Sequence, residues 1–308
     1  MCKPNMIVPG STYMVTRRTS QRMFFMTPDD LTNKIIMYCL GFACMKFPGI
    51  SLIGYIFMSN HYHMIVTDHT GDGPEFFREL NRTIAVVMNI RLNRSENYWS
   101  SEDVRYQAIA TETDLVKALV YIAMNPVRAF AVSHPDDWPG VKMLPTDYGN
   151  NYCGKRPKIY FSRTGKCPVK VIFRCGLTSD TEMAKAEKRR IINDYKEEFT
   201  RQYDDFMKGK QESDFAGAAA VITKPKSTIP KSDSGRGKMN PRWQSVFAHI
   251  QQNLNEIYQK FQVAYRYALE EWRKGDYTIP FPPGTYKMKR LHGVQIDPDL
   301  LETIVWEV

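Results

Sequence analysis

The chain has 308 residues, 43% of them hydrophobic and 24% charged, a balance that excludes wholesale disorder and suits one large or two smaller globular domains. Mean hydropathy is −0.42. No run of 18 apolar residues occurs and the N-terminal stretch lacks the long apolar segment of a secretory leader, so neither a transmembrane helix nor export is expected. The net charge of +9 is unevenly placed: residues 1–150 hold 14 basic and 14 acidic side chains, and residues 151–308 hold 28 and 19, which points the second half toward a polyanion.

Residues 12–18 read as a strand. Thr27-Pro28-Asp29-Asp30 reads as a helix start, with the Thr27 hydroxyl as cap, proline in the first turn and acids at the positive helix end. That helix runs to about Phe47, where Pro48-Gly49 stops it. Residues 50–57 and 61–67 are rich in Ile, Tyr, Phe and Val, with Met58-Ser59-Asn60 between them, and read as a strand pair or one kinked ribbon. Gly71-Asp72-Gly73-Pro74 opens a helix to about Leu92, and 104–109 is a further strand. A helix from Thr111 to Met124 should end near Asn125, because Pro126 disfavours the α conformation before it. The order strand–helix–strand–strand–helix–strand predicts an α+β fold, a ferredoxin-like antiparallel sheet with helices on one face and the other face free for a site.

Residues 151–179 hold seven Lys/Arg and no acid, and read as a basic hairpin with strands at Lys158–Arg163 and Pro168–Arg174. Ser179 with Glu182 forms a capping box for a charged helix to about Gly209, with a stripe of Ile192, Tyr195, Phe199, Tyr203 and Phe206. Residues 213–240, rich in Ala, Gly, Ser, Pro and Lys, read as a flexible linker. Asn240-Pro241 caps a helix to Lys274, roughly 50 Å long. Its seam (Trp243, Phe247, Ile250, Leu254, Ile257, Phe261, Ala264, Ala268) needs a partner from the same chain or from a second copy in a homodimer. The expected division is 1–150, 151–212, 213–240 and 241–308, with a mainly helical C-terminal extension. Six cysteines with no Cys-x-x-Cys pair are expected as reduced thiols of a cytoplasmic protein.

The chemistry concentrates in two places. In Asn60-His61-Tyr62-His63, strand alternation points His61 and His63 to one face and Tyr62 to the other, so two imidazoles can lean toward one divalent ion. His69 shares their parity but follows Asp68 at a strand end and reads as a rim residue. In Tyr121-Ile122-Ala123-Met124-Asn125-Pro126-Val127-Arg128-Ala129, Tyr121 and Asn125 are i and i+4 neighbours. Asn125 offers an amide oxygen suited to Mg²⁺ or Mn²⁺ beside two histidines, and Tyr121 offers a nucleophile for a phosphodiester. Each element alone has an ordinary structural reading: a strand histidine pair without metal, and a packing tyrosine.

Together the two motifs resemble the single-tyrosine HUH transposases, and in particular their REP-associated tyrosine transposase branch. Tyr13–Arg17, Met58-Ser59-Asn60-His61, the Trp99…Tyr106 segment and Asp137-Trp138 fit the same pattern. The resemblance covers about residues 10–145, and it leaves 150–308 uncovered. Tyr62 stands where smaller aliphatic residues are common. The resemblance implies a catalytic domain over residues 1–150 acting on single-stranded or hairpin DNA, with Tyr121 as nucleophile, His61 and His63 as metal ligands and Asn125 in the third-ligand position. It implies a 5′-phosphotyrosine intermediate, a free 3′-OH, strand rejoining without ATP, and a nucleoid-associated location. For DNA contact the candidates are Arg17, Arg18, Arg78, Arg82 and Arg128, then Lys155, Arg156, Lys158, Arg163, Lys166, Lys170 and Arg174 of the basic hairpin. Tyr160, Phe161 and Phe173 are placed to stack on unpaired bases or to form the hairpin core. Glu75 and Glu79 stand one turn from Arg78 and Arg82 as alternative partners. The competing readings are a catalytically silent nucleic-acid hairpin-binding protein, another HUH enzyme such as a replication initiator or relaxase, and, more distantly, a zinc hydrolase.

Overall fold

The computed structural model describes residues 6–102, 104–159, 167–176, 182–230 and 243–300. Strand β1 (Ser11–Arg18) leads to α1 (Asp30–Lys46), then β2 (Ile50–Phe57), β3 (His61–Asp68), α2 (Gly73–Arg91), β4 (Arg105–Ile109) and α3 (Glu112–Arg128). A short β5 (Lys142–Met143) follows, then β6 (Asn151–Lys155), β7 (Lys170–Arg174), α4 (Glu182–Met207), α5 (Ala218–Thr223), β8 (Trp243–Gln244), α6 (Ala248–Arg273) and α7 (Lys287–His292). The main sheet has the order β5-β2-β3-β1-β4-β8, and β6-β7 form a second, two-stranded sheet. Strand β1 runs antiparallel to both β3 and β4, and β2 antiparallel to β3. The central order β2-β3-β1-β4 is the ferredoxin-like arrangement expected from the chain order.

The sheet differs from expectation in having both faces covered. On β3, Tyr62 is fully buried, donates its hydroxyl to Asn81 Oδ1 of α2 at 2.9 Å and stacks on Phe77. By alternation His61, His63 and Ile65 face the opposite side, and α3 lies there. Its approach is set at Gly54 of β2, which pairs with Ile65. A Cβ at Gly54 would fall 2.7 Å from Leu119 Cδ2 and 2.9 Å from Ile122 Cδ1. Fully buried Leu119, Ile122, Ala123 and Met124 show which stripe of α3 supplies that contact.

Helix α3 also runs four residues past the expected stop, through Asn125 and Pro126 to Arg128. Pro126 removes one hydrogen bond from the ladder. However, the Ala129 and Ala131 N–H groups still donate to Asn125 O and Pro126 O, and Val127 is fully buried. Tertiary packing therefore outweighs the local preference. At the start of α1 the cap is Asp29, whose side chain accepts from the Thr32 N–H at 2.8 Å. Thr27 instead donates its hydroxyl to Phe24 O.

The second half departs further from the pattern in the sequence. The strand that pairs with Lys170–Arg174 is Asn151–Lys155; of the expected strand Lys158–Arg163, only Lys158 and Ile159 are among the described residues. Tyr160, Phe161, Arg163, Lys166 and Ser179 lie outside the described residues. Within the segment expected to be a flexible linker, Ala216 and Gly217 donate backbone N–H bonds to Phe130 O and Ala131 O, Phe24 donates to Thr228 O, and Val221 is buried. Lys226 Nζ reaches Asp29 Oδ2 at 2.6 Å. Residues 231–242 are not described. The long helix begins at Ala248, 26 residues and so about 39 Å long. The Trp243 segment pairs in parallel with β4 at Ala108. Leu254, Tyr258, Phe261 and Ala268 are its buried positions, so Tyr258 takes the place expected of Ile257.

Asp29 joins three elements: it accepts from Arg91 of α2 at 2.8 Å, from Lys226 and from the first turn of α1. Burial favours its neutral form, but the bonds from Arg91, Lys226 and the Thr32 N–H outweigh that and hold the carboxyl well below the usual range. A depressed folded-state pKa adds stability that is present above the unfolded value near ~3.9 and is lost as pH falls. Urea unfolding between about pH 5 and pH 2 should therefore show a decline in stability that Asp29→Asn flattens, with the variant less stable at neutral pH by about 2 kcal/mol. Gly54→Val should cost about 1–3 kcal/mol in the same assay, because the side chain meets Leu119 and Ile122.

Candidate functional site

The site lies where the start of β3 meets the C-terminal half of α3. The β1–β3 register places Thr16 opposite His63 and Arg18 opposite His61, so all four share the face under α3. The His61 and His63 rings are 4.9 Å apart at 81°. Tyr121 packs its ring edge-on to His63 at a centroid distance of 5.2 Å, while remaining 38% exposed. One helical turn on, Asn125 Oδ1 stands 3.2 Å from His61 Nε2. The structure thus brings His61, His63, Tyr121 and Asn125 into one cluster from two separate stretches of chain.

Each imidazole is oriented through Nδ1. Asn60 donates its amide nitrogen to Arg22 O at 3.0 Å, which turns its Oδ1 to His61 Nδ1 at 2.7 Å. His61 Nδ1 therefore carries the proton. His63 Nδ1 is held by the Thr16 hydroxyl at 2.8 Å. Such partners on the remote ring nitrogen fix tautomer and direction, as they do for metal-bound histidines. Thr16 was not singled out from the sequence. Only the strand register reveals it.

Burial disfavours the charged imidazoles. It pushes His61 down to about 4, opposed by the Asn125 contact and assisted by the charge of Arg18. Burial, then the neighbouring His61, holds His63 well below its usual value. A neutral His61 has a single N–H, already given to Asn60. Its Nε2 stands 3.2 Å from the Asn125 side-chain amide, within hydrogen-bond distance. Adjacent ligands of an octahedral ion with bonds of about 2.1 Å stand roughly 3.0 Å apart, so this donor set fits a hard divalent cation. Among the described residues no group of three or more His, Cys, Asp or Glu could hold a metal; the third donor here would be an amide oxygen. His69 is elsewhere, bonded through Nε2 to Ser51 Oγ at 2.9 Å.

The basic candidates divide by position. Arg18 lies on the His61 side and pairs with Glu102 at 2.7 Å. Arg17 points to the other side and donates to Ser100 O and Glu102 O. Arg128 lies two turns beyond Tyr121, bonded to Gln202 of α4 at 2.7 Å. Burial raises the Tyr121 phenol above its ordinary value, and the Arg128 charge opposes this. Arg78 and Arg82 are on α2, across the sheet from the histidines, in ion pairs with Glu75 and Glu79. They stand away from the cluster and are paired as the one-turn spacing allowed. Arg156 donates to Cys167 O. Lys155, Lys158, Lys170 and Arg174 are exposed around the small sheet. Phe173 is buried and stacked on Tyr152, which makes it hairpin core and not a base-stacking platform.

No family model matches the chain, and no curated protein matches it by sequence. Among solved structures, it is similar to a REP-associated tyrosine transposase bound to a REP hairpin. The identity is 19% and the TM-score 0.39, over 46% of this chain and 81% of that one. At that level of likeness the chemistry has to be read from the side chains. No described helix is long and apolar enough to cross a membrane.

Removing the hydroxyl that orients His63, with Thr16→Val, should cost about 1 kcal/mol of stability. It should also redistribute the His63 tautomers, visible as a change in the two imidazole ¹⁵N shifts. Unchanged shifts would mean that Thr16 does not set the ring.

Proposed function

We propose that the chain is a metal-dependent DNA strand transferase of the single-tyrosine HUH transposase type, acting on single-stranded or hairpin DNA. The observation that carries the reading is the convergence of two imidazoles, a carboxamide and a partly exposed phenol on one patch of sheet and helix. Ordinary packing accounts for any one of these side chains; the reading rests on all four standing together.

In this reading His61, His63 and Asn125 would hold Mg²⁺ or Mn²⁺, which when bound would polarise a phosphate oxygen and offset the charge gained in the transition state. Tyr121 attacks phosphorus through its hydroxyl oxygen. A Tyr–O–P bond forms, the P–O3′ bond breaks, and the phenolic proton is transferred through solvent to the departing 3′ oxygen. The products are a 5′-phosphotyrosine and a 3′-OH, with no net oxidation or reduction. Attack by a second 3′-OH reverses the exchange and frees Tyr121. Burial keeps the phenol protonated near neutral pH, so loss of that proton must accompany attack, and Arg128 on the same face of α3 favours the phenolate. Asn60 and Thr16 keep both imidazoles turned. Arg18, beside His61, is placed to meet substrate phosphate once it leaves Glu102.

A hairpin oligonucleotide with an unpaired flank, incubated with Mn²⁺ or Mg²⁺, should give a denaturation-resistant protein–DNA adduct. Tyr121→Phe should abolish the adduct while leaving binding within about twofold, a change of under ~0.5 kcal/mol that a single exposed hydroxyl allows. His61→Ala with His63→Ala should abolish the adduct with either ion. An adduct formed by Tyr121→Phe would assign the nucleophile elsewhere. Binding with no adduct from the native chain under any divalent ion would establish a silent hairpin-binding protein.

A further inference from the structure

We propose that the β6–β7 ribbon is a second contact surface, which docks duplex DNA by entering its major groove. The inference rests on the nucleic-acid reading above but not on the Tyr121 chemistry.

The ribbon has two unlike faces. Tyr152, Gly154, Val171 and Phe173 point inward onto α1. A Cβ at Gly154 would fall 2.7 Å from Tyr38 Cα, and one at Gly41 of α1 would fall 2.5 Å from Val171 Cγ2. Both glycines thus let ribbon and helix touch. Tyr38 adds a hydroxyl bond to Pro168 O at 2.7 Å. The ribbon is therefore seated firmly, on the side of the sheet away from the histidines.

Its outward face carries Asn151, Cys153 and Lys155 on one strand and Lys170, Ile172 and Arg174 on the other, all exposed. Residues 151–176 contain no acid. Lys155 and Lys170 are direct cross-strand partners. Like charges in that position destabilise an antiparallel pair, and a phosphate lying against them removes the penalty. At the other end, Lys188 Nζ and Arg174 Nη2 lie 2.9 and 4.0 Å from the Cβ position of Gly149, so two further cations meet there. Roughly 13 Å of strand separates the ends. Between them Ile172 is 63% exposed, and just beyond the Lys170 end Val169 is 69% exposed, apolar side chains that solvent alone would not favour.

Two strands side by side are about 4.8 Å apart, and the B-form major groove, about 12 Å wide, admits such a ribbon. Cations at both ends then reach the phosphates, and Ile172 lies where thymine methyl groups project. The major groove of A-form RNA is too narrow for the same entry. A hairpin stem is the duplex that the proposed substrate supplies.

The full chain is titrated into fluorescein-labelled DNA duplex, RNA duplex and unpaired DNA, with anisotropy read across a salt series. The native chain should bind DNA duplex more tightly than RNA duplex. Lys155→Ala with Lys170→Ala should weaken DNA-duplex binding roughly tenfold and reduce the slope of log K against log salt by about 2, near 0.9 per phosphate contact. Ile172→Ser should narrow the gap between DNA and RNA duplexes. Duplex binding is read without a divalent ion, where no adduct forms, so failure of this surface and failure of the Tyr121 chemistry are read separately. Equal affinity for RNA and DNA duplexes, or an unchanged affinity and salt slope in the double variant, overturns the proposal.

Discussion

The separation between α3 and the sheet governs the candidate site, and it is set where Gly54 leaves room for Leu119 and Ile122. With those two side chains seated, Tyr121 and Asn125 fall on the flank of the helix that overhangs the first residues of β3. A helix held a side chain's width further out would leave the phenol and the carboxamide over apolar strand and the histidines open to water. The backbone approach thus controls the electrostatics. The same contact that closes the apolar core also buries His63 and leaves His61 half-buried, which disfavours the charged form of both rings.

Burial, assisted by the charge of Arg18, disfavours the protonated His61 ring, and its Nε2 stays beside the Asn125 amide at 3.2 Å. The orienting partners Asn60 and Thr16 come from the turn before β3 and from β1, so the central strand pair aligns the site as well as the sheet.

The second half of the chain is fastened to the first at points that bear on this geometry. Backbone bonds from Ala216 and Gly217 hold the residues after α3, Tyr203 donates to Ser133 O, and Arg190 pairs with Glu112 at the start of the same helix. Helix α3 is therefore tied at both ends by the extension. On the other side, Asp29 joins α1, α2 and Lys226 in a low-exposure ionic knot. The net positive charge of this half is displayed in part on the β6–β7 ribbon, whose apolar inner face is consumed by packing on α1.

Elements whose cause is local were legible from the residues. The strand and helix order through Arg128, the shared face of His61 and His63 and the i, i+4 relation of Tyr121 and Asn125 follow from periods of two and 3.6 residues, which the backbone imposes regardless of context. Decisions made by contacts between distant segments were not legible. The cap of α1 passed from Thr27 to Asp29 because Arg91 and Lys226 converge there; α3 continued through Pro126 because Val127 is buried; and the linker composition of residues 213–230 gave no sign that they dock. The pairing of Asn151–Lys155 with Lys170–Arg174 seats an inner face on α1 that no local pattern marked. The sequence by itself determined which side chains share a strand face or a helix face. Tertiary structure alone decided that these two faces meet, since the register of β1 on β3 and the depth of α3 at Gly54 depend on the packing of residues far apart in the chain.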